Sequence, residues 1–190
     1  MKFKSIILHV WMHVRILFYH ILSEVTPIGK PTKVQPVLFM GRGKISVGKN
    51  VRIGWKYSKL FLSYSYFEAR SDTSQIIIGD NVHFNNGCTI VCENTTIEIG
   101  NDCLIGPNCE FMDSDFHAIE PFERHSGIPK SKKVVIGENV FLGSNVAVLK
   151  GVTIGNNSVI GANSTVINNI PSNSLAAGNP AKVIRSLTDS

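Results

Sequence analysis

Several features are scarce or missing in this 190-residue chain, and each absence argues against a class of protein. The balance of 19 Lys and Arg against 14 Asp and Glu gives a formal charge of +5. The basic residues are scattered, with no stripe of interleaved aromatics, which argues against nucleic-acid binding. The modest positive charge suits an acidic small ligand instead. The four cysteines include no C-x2-C pair, so zinc-site spacing is absent, and we expect reduced core thiols.

Helical periodicity is missing from most of the chain, and a period of six takes its place. Aliphatic residues recur at every sixth position from Ile136 to Val166, and four of these six are followed directly by glycine. Neither an amphipathic helix nor a simple strand has this period. It indicates a short strand and a tight turn, repeated, and therefore predicts an all-β parallel β-helix of hexapeptide repeats.

The repeat also sets the expected organisation of a single soluble domain. Weaker sets of the same period lie upstream, so we predict roughly four to five coils over residues 45–175. Residues 26–44 read as a proline-containing connector and 176–190 as a C-terminal tail. A polar segment at 112–133 has two prolines and no period. It is expected to protrude from the coils as a loop and to carry most of the chemistry.

The N-terminal segment, residues 1–25, differs from the rest because its apolar residues have helical spacing. It predicts an amphipathic helix that is too interrupted to span a bilayer. No small-residue cleavage site precedes Glu24, which argues against a signal peptide. Two interpretations stay open: the helix packs on the β-helix or a neighbouring subunit, or it rests on a membrane surface.

The repeat, the histidine in the loop and the tail around Gly178-Asn179-Pro180-Ala181 together resemble the hexapeptide-repeat acyltransferases. The resemblance covers about residues 76–186. It points to the maltose and galactoside O-acetyltransferase branch and its capsule and O-antigen relatives. It implies a left-handed β-helix, a homotrimer, and acetyl-CoA bound in clefts between subunits, with no metal required.

The chemistry of acetyl transfer to a sugar hydroxyl requires a base, since an alcohol is a poor nucleophile at neutral pH. His117 is the best candidate because it lies in the loop beside two carboxylates, and the resemblance gives the loop histidine this role. A carboxylate would fix its tautomer and stabilise the imidazolium. Asp115 is the preferred partner, with Asp113 and Glu120 as alternatives. Since no cysteine has a base beside it, we expect direct transfer without an acyl-enzyme.

The resemblance also implies binding residues. Asn85 matches an asparagine that contacts the acceptor sugar, although a turn asparagine is an equally good interpretation. Asp113 is a further candidate contact to the acceptor. The aromatic residues Trp55, Tyr57, Tyr64 and Tyr66 are expected to pack rather than to bind sugar. The residues expected to bind the cofactor are Phe141, Ser144 and Ala162 in the coils and Lys182 and Arg185 in the tail.

The predicted function is a cytoplasmic, trimeric, acetyl-CoA-dependent O-acetyltransferase that acts on a carbohydrate in surface-glycan assembly. Three alternatives remain: transfer to an amino-sugar or an antibiotic, a γ-carbonic-anhydrase-like zinc enzyme using His83, His117 and His125, and a non-catalytic scaffold. His117 and His125 are eight positions apart, whereas the zinc enzymes place their paired histidines five apart.

Overall fold

The computed structural model describes residues 2–56 and 58–188. Met1, Asp189 and Ser190 lie outside the described residues, as does Tyr57, one of the aromatics predicted to pack. One helix, α1 (Lys2–Leu22), precedes a left-handed parallel β-helix with three faces.

Short parallel strands, one above another, form each face. Face 1 consists of β1 (Thr32–Lys33), β4 (Arg52–Ile53), β7 (His83–Phe84), β10 (Leu104–Ile105), β13 (Phe141–Leu142), β16 (Val159–Ile160) and β18 (Ser174–Gly178), followed by the antiparallel β19 (Ala181–Ser186). Face 2 consists of β2 (Val37–Gly41), β5 (Ser65–Ala69), β8 (Thr89–Cys92), β11 (Glu110–Met112), β14 (Ala147–Val148) and β17 (Thr165–Val166). Face 3 consists of β3 (Lys44–Val47), β6 (Gln75–Ile78), β9 (Thr96–Ile99), β12 (Val134–Ile136) and β15 (Thr153–Ile154).

The period of six follows from how these strands pack. Each repeat points one aliphatic side chain inward, and strand pairing places it directly above its counterpart, as in the buried series Phe84, Ile105 and Leu142 on face 1. Burial of each such side chain contributes about 1.5–3 kcal/mol. The predicted fold class is confirmed.

Asparagines make the corners between faces. Asn108, Asn145 and Asn163 adopt φ between 56° and 59°, a left-handed conformation that asparagine tolerates better than most residues. Their amides form a ladder, Asn108 donating to Asn145 at 3.1 Å and Asn145 to Asn163 at 2.9 Å. The corner turns are thus stacked in the same register as the strands.

The coils begin earlier than the hexapeptide phase indicates. β1 and β2 lie within residues 26–44, where the sequence reads as a connector, and they pair in parallel with β4 and β5. The phase is obscured by residues 54–64, which form an insertion between β4 and β5 at the corner joining faces 1 and 2 (corner 1–2). The larger insertion, residues 113–133, lies between β11 and β12 and protrudes from the coils at the corner joining faces 2 and 3 (corner 2–3).

Helix α1 lies against the first coils through a buried arginine. The Arg15 guanidinium donates to the carbonyls of Phe61, Leu62 and Ser63 at 2.7–3.0 Å, and the ring of Tyr19 lies 4.9 Å from that of Tyr64. Packing on the β-helix, one of the two interpretations left open, is therefore present.

The expectation that this segment is too interrupted to span a bilayer is not upheld. Ser5–Leu22 is long and apolar enough to cross a membrane by length and composition, and only 11% of it is buried. Arg15 is the single Lys, Arg, Asp or Glu in that stretch, and its charge is met by carbonyls of the insertion 54–64.

Candidate active site

A groove at corner 1–2 brings together four of the residues predicted to bind substrates. Asn85, the predicted acceptor contact, shares it with the predicted cofactor contacts Phe141, Ser144 and Ala162. The groove, here called the coil groove, has a volume of about 460 Å³ and is lined by Asn85, Gly106, Pro107, Phe141, Gly143, Ser144, Val159, Ile160, Gly161 and Ala162.

Glycines at the ends of the face 1 strands keep this groove open. A Cβ on Gly106 would lie 2.5 Å from the carbonyl carbon of Gly143, and a Cβ on Gly143 would lie 2.7 Å from the Ala162 nitrogen. No side chain fits at such distances, so the glycines allow the coil backbones to touch. The groove is consequently bordered by backbone groups and small side chains.

A second, smaller pocket opens beside the coil groove and shares Asn85, Gly106 and Phe141 with it. This pocket, here called the Trp55 pocket, has a volume of about 210 Å³ and is lined by Arg52, Gly54, Trp55, His83, Phe84, Asn85, Leu104, Ile105, Gly106 and Phe141. Trp55 was expected to pack, but it is 52% exposed, and the Arg52 guanidinium lies 5.2 Å from its ring centroid.

Asn86 is a positioning residue that sequence reasoning missed. It is fully buried, and its side-chain oxygen accepts a hydrogen bond from the Trp55 amide at 2.5 Å while its side-chain nitrogen donates to the Trp55 carbonyl at 3.2 Å. Asn85 uses its own side-chain oxygen to accept from the Asn86 amide at 2.8 Å. The side-chain nitrogen of Asn85 forms no hydrogen bond within the described residues, so it remains available to a ligand.

His117 lies in the protruding loop, as predicted, and is exposed. It follows Phe116, whose φ of 59° is unusual for an aromatic residue. Across residues 2–56 and 58–188, no hydrogen bond or ion pair holds the His117 side chain. It lines neither the coil groove nor the Trp55 pocket.

The two carboxylates near His117 have other partners within the chain. An oxygen of Asp115 lies 3.2 Å from the Lys150 ammonium, so its orientation of His117 stays a prediction. Asp113 is fully buried. Its carboxylate accepts from the amides of Glu93, Asn94 and Thr95 at 2.6–3.2 Å and from the Thr95 hydroxyl at 2.8 Å.

This placement of Asp113 does not suit the predicted contact to the acceptor. A carboxylate whose oxygens already accept several hydrogen bonds in the interior has little capacity for a sugar. Its role in the chain is to close the 93–95 turn, where the hexapeptide register slips, and to fix the start of the loop.

Arg70 holds the next part of the loop. It forms ion pairs with Glu68 at 2.9 Å and with Glu93, and its guanidinium lies 5.2 Å from the centroid of the Phe116 ring. Hydrogen bonding to Glu68, followed by the charges of Glu68 and Glu93, raises the pKa of Arg70 above its ordinary value despite burial. A permanent cation therefore packs on the residue that precedes His117.

The tail places its two predicted cofactor contacts beside the C-terminal end of the groove. In the β18–β19 pair, Lys182 lies opposite Ala177 and Arg185 opposite Leu175. A Cβ on Gly161, which lines the coil groove, would lie 2.8 Å from the Cβ of Ala177. Both Lys182 and Arg185 are exposed, so two cations border this end of the groove.

The cysteines are unsuited to act as nucleophiles. All four are free and buried, and desolvation raises the pKa of Cys103 and Cys109 to about 11 and that of Cys92, which also lies near Asp113, to about 12. Desolvation likewise raises the pKa of Cys88. The thiolate is the reactive form, and burial disfavours it.

The histidines suggested for a zinc site are not brought together. His83 lies on β7 of face 1, whereas His117 and His125 lie in the loop at corner 2–3. In the part of the chain that the structure describes, no group of three or more His, Cys, Asp or Glu is arranged to hold a metal ion.

The predicted site residues therefore occupy two corners of one chain. Asn85, Phe141, Ser144 and Ala162 lie at corner 1–2, and His117 leaves from corner 2–3. Face 2 separates the two corners. Within one chain, His117 lines neither the coil groove nor the Trp55 pocket.

Two family descriptions match the sequence. "Bacterial transferase hexapeptide (six repeats)" matches residues 133–168, and "Hexapeptide repeat of succinyl-transferase" matches residues 96–112. The solved hexapeptide-repeat acetyltransferase of Vibrio cholerae O1 biovar eltor, complexed with acetyl coenzyme A, is 31% identical, with a TM-score of 0.61 over 74% of this chain and 69% of that chain. The chain belongs to the hexapeptide-repeat transferase family.

Within that family the chain is similar to sugar O-acetyltransferases. Galactoside O-acetyltransferase of Escherichia coli (strain K12) is 40% identical over 144 residues, which cover 76% of this chain and 64% of that protein. Polysialic acid O-acetyltransferase of Escherichia coli O1:K1 is 42% identical over 112 residues, which cover 59% of this chain and 36% of that protein. The chain spans less than two thirds of the length of these curated relatives.

Proposed function

We propose that this protein is an acetyl-CoA-dependent O-acetyltransferase that modifies a carbohydrate hydroxyl, in the assembly or decoration of a surface polysaccharide. The observation that carries the proposal is the division of the site between two corners. The coil groove of one copy binds acetyl-CoA, and the loop of a second copy brings His117 to it. Similarity to the galactoside and polysialic acid enzymes supports a sugar acceptor.

The groove fits an extended acyl carrier. A channel bordered by Gly106, Gly143 and Gly161 lets backbone groups hydrogen-bond along a narrow, flexible chain without side-chain obstruction. Lys182 and Arg185 at its C-terminal end suit the phosphate groups of coenzyme A, since ammonium and guanidinium groups form charge-assisted hydrogen bonds with phosphate. Phe141, 46% exposed, lies at the opposite end, where the groove meets the Trp55 pocket.

The chemistry is a direct transfer. His117 takes the proton of the acceptor hydroxyl as the hydroxyl oxygen attacks the thioester carbonyl. The carbon–sulfur bond then breaks, and the protonated His117 returns the proton to the departing sulfur. Coenzyme A leaves as the free thiol, and the acetyl group stays on the sugar oxygen. The buried, high-pKa cysteines support a mechanism without a thiol acyl-enzyme. Because the groove and His117 come from different copies, we propose a homotrimer with a site at each interface.

The deciding experiment measures thiol release from acetyl-CoA with a panel of sugars, nucleotide-sugars and amino-sugars. Acceptor-dependent release should fall by about 10²-fold or more in His117→Ala, while acetyl-CoA binding persists. His125→Ala, another loop histidine, is the matched control. Acetylation of an amino-sugar nitrogen alone would replace the proposal with N-acetyl transfer. Release that survives His117→Ala would assign the base elsewhere, and failure to bind acetyl-CoA would refute the transferase.

We also propose that α1 holds the protein at the cytoplasmic surface of a membrane, where reduced thiols persist and acetyl-CoA is available. The helix exposes apolar residues such as Trp11, Val14 and Phe18, each about half exposed, and no described residue of it is acidic. Because Arg15 is bonded to the insertion 54–64, α1 lies along the domain, which favours a helix resting on the bilayer over one crossing it.

Flotation with anionic phospholipid vesicles tests this membrane contact. Wild type should float with the vesicles, and a Val14→Glu/Phe18→Glu variant should remain in solution. Ile128→Glu, which alters an exposed apolar residue of the loop, should float like wild type. If wild type does not float, or if the α1 variant dissociates the trimer in the absence of vesicles, this face of the helix is a subunit contact instead.

A further inference from the structure

Arg52 is a cation without a counter-charge. Its guanidinium lies over the Trp55 ring, yet no carboxylate among the described residues forms an ion pair with it. Its Nε is buried and has no hydrogen-bond partner. Stacking on an aromatic ring does not satisfy an N–H group, and buried donors in native proteins nearly always have an acceptor. The chain therefore supplies no acceptor and no counter-charge to this guanidinium.

The pocket around Arg52 contains a second basic side chain and no acidic one. His83 lies directly beside it on the next strand, because β4 and β7 pair with Arg52 opposite His83. The residues that line the Trp55 pocket include Arg52 and His83 but no Asp or Glu. A pocket that contains an unpaired guanidinium, an imidazole and no acid favours an anion.

The remaining walls suit a sugar ring. Trp55, Leu104 and Phe141 are each about half exposed, and they offer apolar surface to the C–H face of a pyranose. The backbone of Trp55 is fixed by the buried Asn86, so this wall is preorganised. The pocket shares Asn85 and Phe141 with the coil groove, which places a sugar bound here next to the groove.

We infer that Arg52 binds an anionic substituent of the acceptor, a carboxylate or a phosphate, so that the substrate is an acidic saccharide. Acetylation of an acidic saccharide rests on the proposed function, whereas binding of that saccharide at Arg52 does not. The planar guanidinium presents the N–H groups of its two Nη atoms, which form no hydrogen bond or ion pair within the described residues, to such an oxyanion as a parallel pair. Trp55 supports both the sugar ring and the guanidinium.

The test compares sugars that differ only at C6. Galactose, galacturonate and galactose 6-phosphate, with the corresponding glucose series, are used as acceptors for the full-length protein. Wild type should prefer the acidic sugars in kcat/KM by about tenfold or more, and Arg52→Gln should reduce that ratio by about tenfold. Arg52→Lys should be intermediate, because it keeps the charge and loses the fork. A comparison of galacturonate with galactose 6-phosphate shows whether Arg52 prefers a carboxylate or a phosphate.

Arg42→Gln is the matched control, since it removes the same charge from a guanidinium that is largely exposed and lies far around the coil, after β2. It should leave the ratio of acidic to neutral sugars unchanged. Equal use of acidic and neutral sugars by wild type would overturn the inference, and so would an Arg52→Gln ratio equal to that of wild type.

Direct binding separates this inference from the proposed reaction. Saturation-transfer NMR of galactose and galacturonate with the purified protein needs no turnover. Preferential binding of galacturonate that is lost in Arg52→Gln supports the anion subsite even if no sugar is acetylated, in which case the transferase proposal alone fails. Equal binding of both sugars, or binding unaffected by Arg52→Gln, rejects the subsite whatever the turnover.

Discussion

The two corners that carry the candidate site are built in opposite ways. At corner 1–2 the binding residues lie on the coils themselves, where Gly106 and Gly143 keep neighbouring backbones in contact and an asparagine ladder fixes the turns. At corner 2–3 the chain leaves the coils for about 20 residues. There the loop is held at its base by Asp113 and Arg70, while Phe122 is 98% exposed.

In the proposed function, this difference separates acetyl-CoA binding at corner 1–2 from proton transfer by the loop at corner 2–3. The groove is preorganised by the repeat, so an extended ligand meets a fixed surface at little entropic cost. His117 is held only through its neighbours, and in the proposed homotrimer a second copy of the chain completes its surroundings. Changes at corner 1–2 should therefore affect binding, and changes at corner 2–3 should affect the rate. The expected effects below run from the largest to the smallest.

Mixing two inactive variants should restore activity. His117→Ala removes the proposed base, and Ala162→Trp blocks the coil groove from an exposed position, so each proposed homotrimer should lose about 10²-fold or more of its activity. In co-expressed mixed trimers, one copy supplies the groove and another supplies His117. If the two chains mix at random, about a quarter of the interfaces are intact, and thiol release should recover to about that fraction of wild type.

Control mixtures of each variant with itself should stay inactive. Recovery that never exceeds these controls, in trimers verified to contain both chains, would mean that groove and base act within one chain. It would also contradict the division of the site between two corners.

Asp113→Ala should destabilise the fold more than any change at the tip of the loop. It leaves the amides of Glu93, Asn94 and Thr95 without their acceptor, and the expected loss is about 2–3 kcal/mol in the free energy of unfolding. Thermal unfolding at a fixed protein concentration measures it. Asp72→Ala, a change at a side chain that is 77% exposed, should leave the melting temperature nearly unchanged. Equal melting temperatures for the two variants would show that Asp113 does not fix the base of the loop.

The sequence predicted corner 1–2 better than corner 2–3, for a physical reason. Three repeats of six complete one coil, so residues 18 apart, such as Ser144 and Ala162, return to the same corner, and the resemblance supplies the binding roles of Asn85, Phe141 and Ala162. No comparable rule operates in the loop. Yet one signal was available: inward positions alternate along β11, and Asp113 continues the inward series after Phe111. A carboxylate at an inward position requires several hydrogen-bond donors, which argues for a structural role.

The parts that sequence reasoning missed depend on contacts distant along the chain. The first coil is hidden because the insertion 54–64 breaks the phase between β4 and β5. The packing of α1 depends on carbonyls that lie 46 to 48 residues from Arg15. The Trp55 pocket likewise joins residues from separate coils. Periodicity shows which residues point inward, but it does not show which insertion folds back on which coil.

Arg70→Gln should lower the rate moderately and leave acetyl-CoA binding unchanged. It removes the guanidinium that packs on Phe116, so His117 is held less closely, and we expect a kcat reduced by about 3- to 10-fold. The KM for acetyl-CoA should not change, because the groove is at the other corner. Stability should fall by less than about 1 kcal/mol, since the Arg70 ion pairs are partly exposed.

Arg70→Lys should recover part of the rate, whereas Arg42→Gln should have no effect on kcat or on the KM for acetyl-CoA. A raised KM for acetyl-CoA with an unchanged kcat in Arg70→Gln would show that the loop base and the groove are coupled. The comparison between a binding corner and a catalytic corner would then be wrong.

Thiol labelling gives the smallest expected effect and reports on the core between the two corners. Burial raises the pKa of Cys103 to about 11 and of Cys92 to about 12, so at pH 8 roughly one thiol in a thousand or fewer is ionised. A disulfide reagent should label almost none of the four cysteines in the native protein and all four after unfolding.

In Asp113→Ala, Cys92 should become the first to react, because its thiol lies 3.4 Å from the Asp113 carboxylate and the 93–95 turn above it loosens. Cys109, which lies beneath corner 1–2, should stay protected, and rapid labelling of Cys109 in that variant would show that the two corners open together.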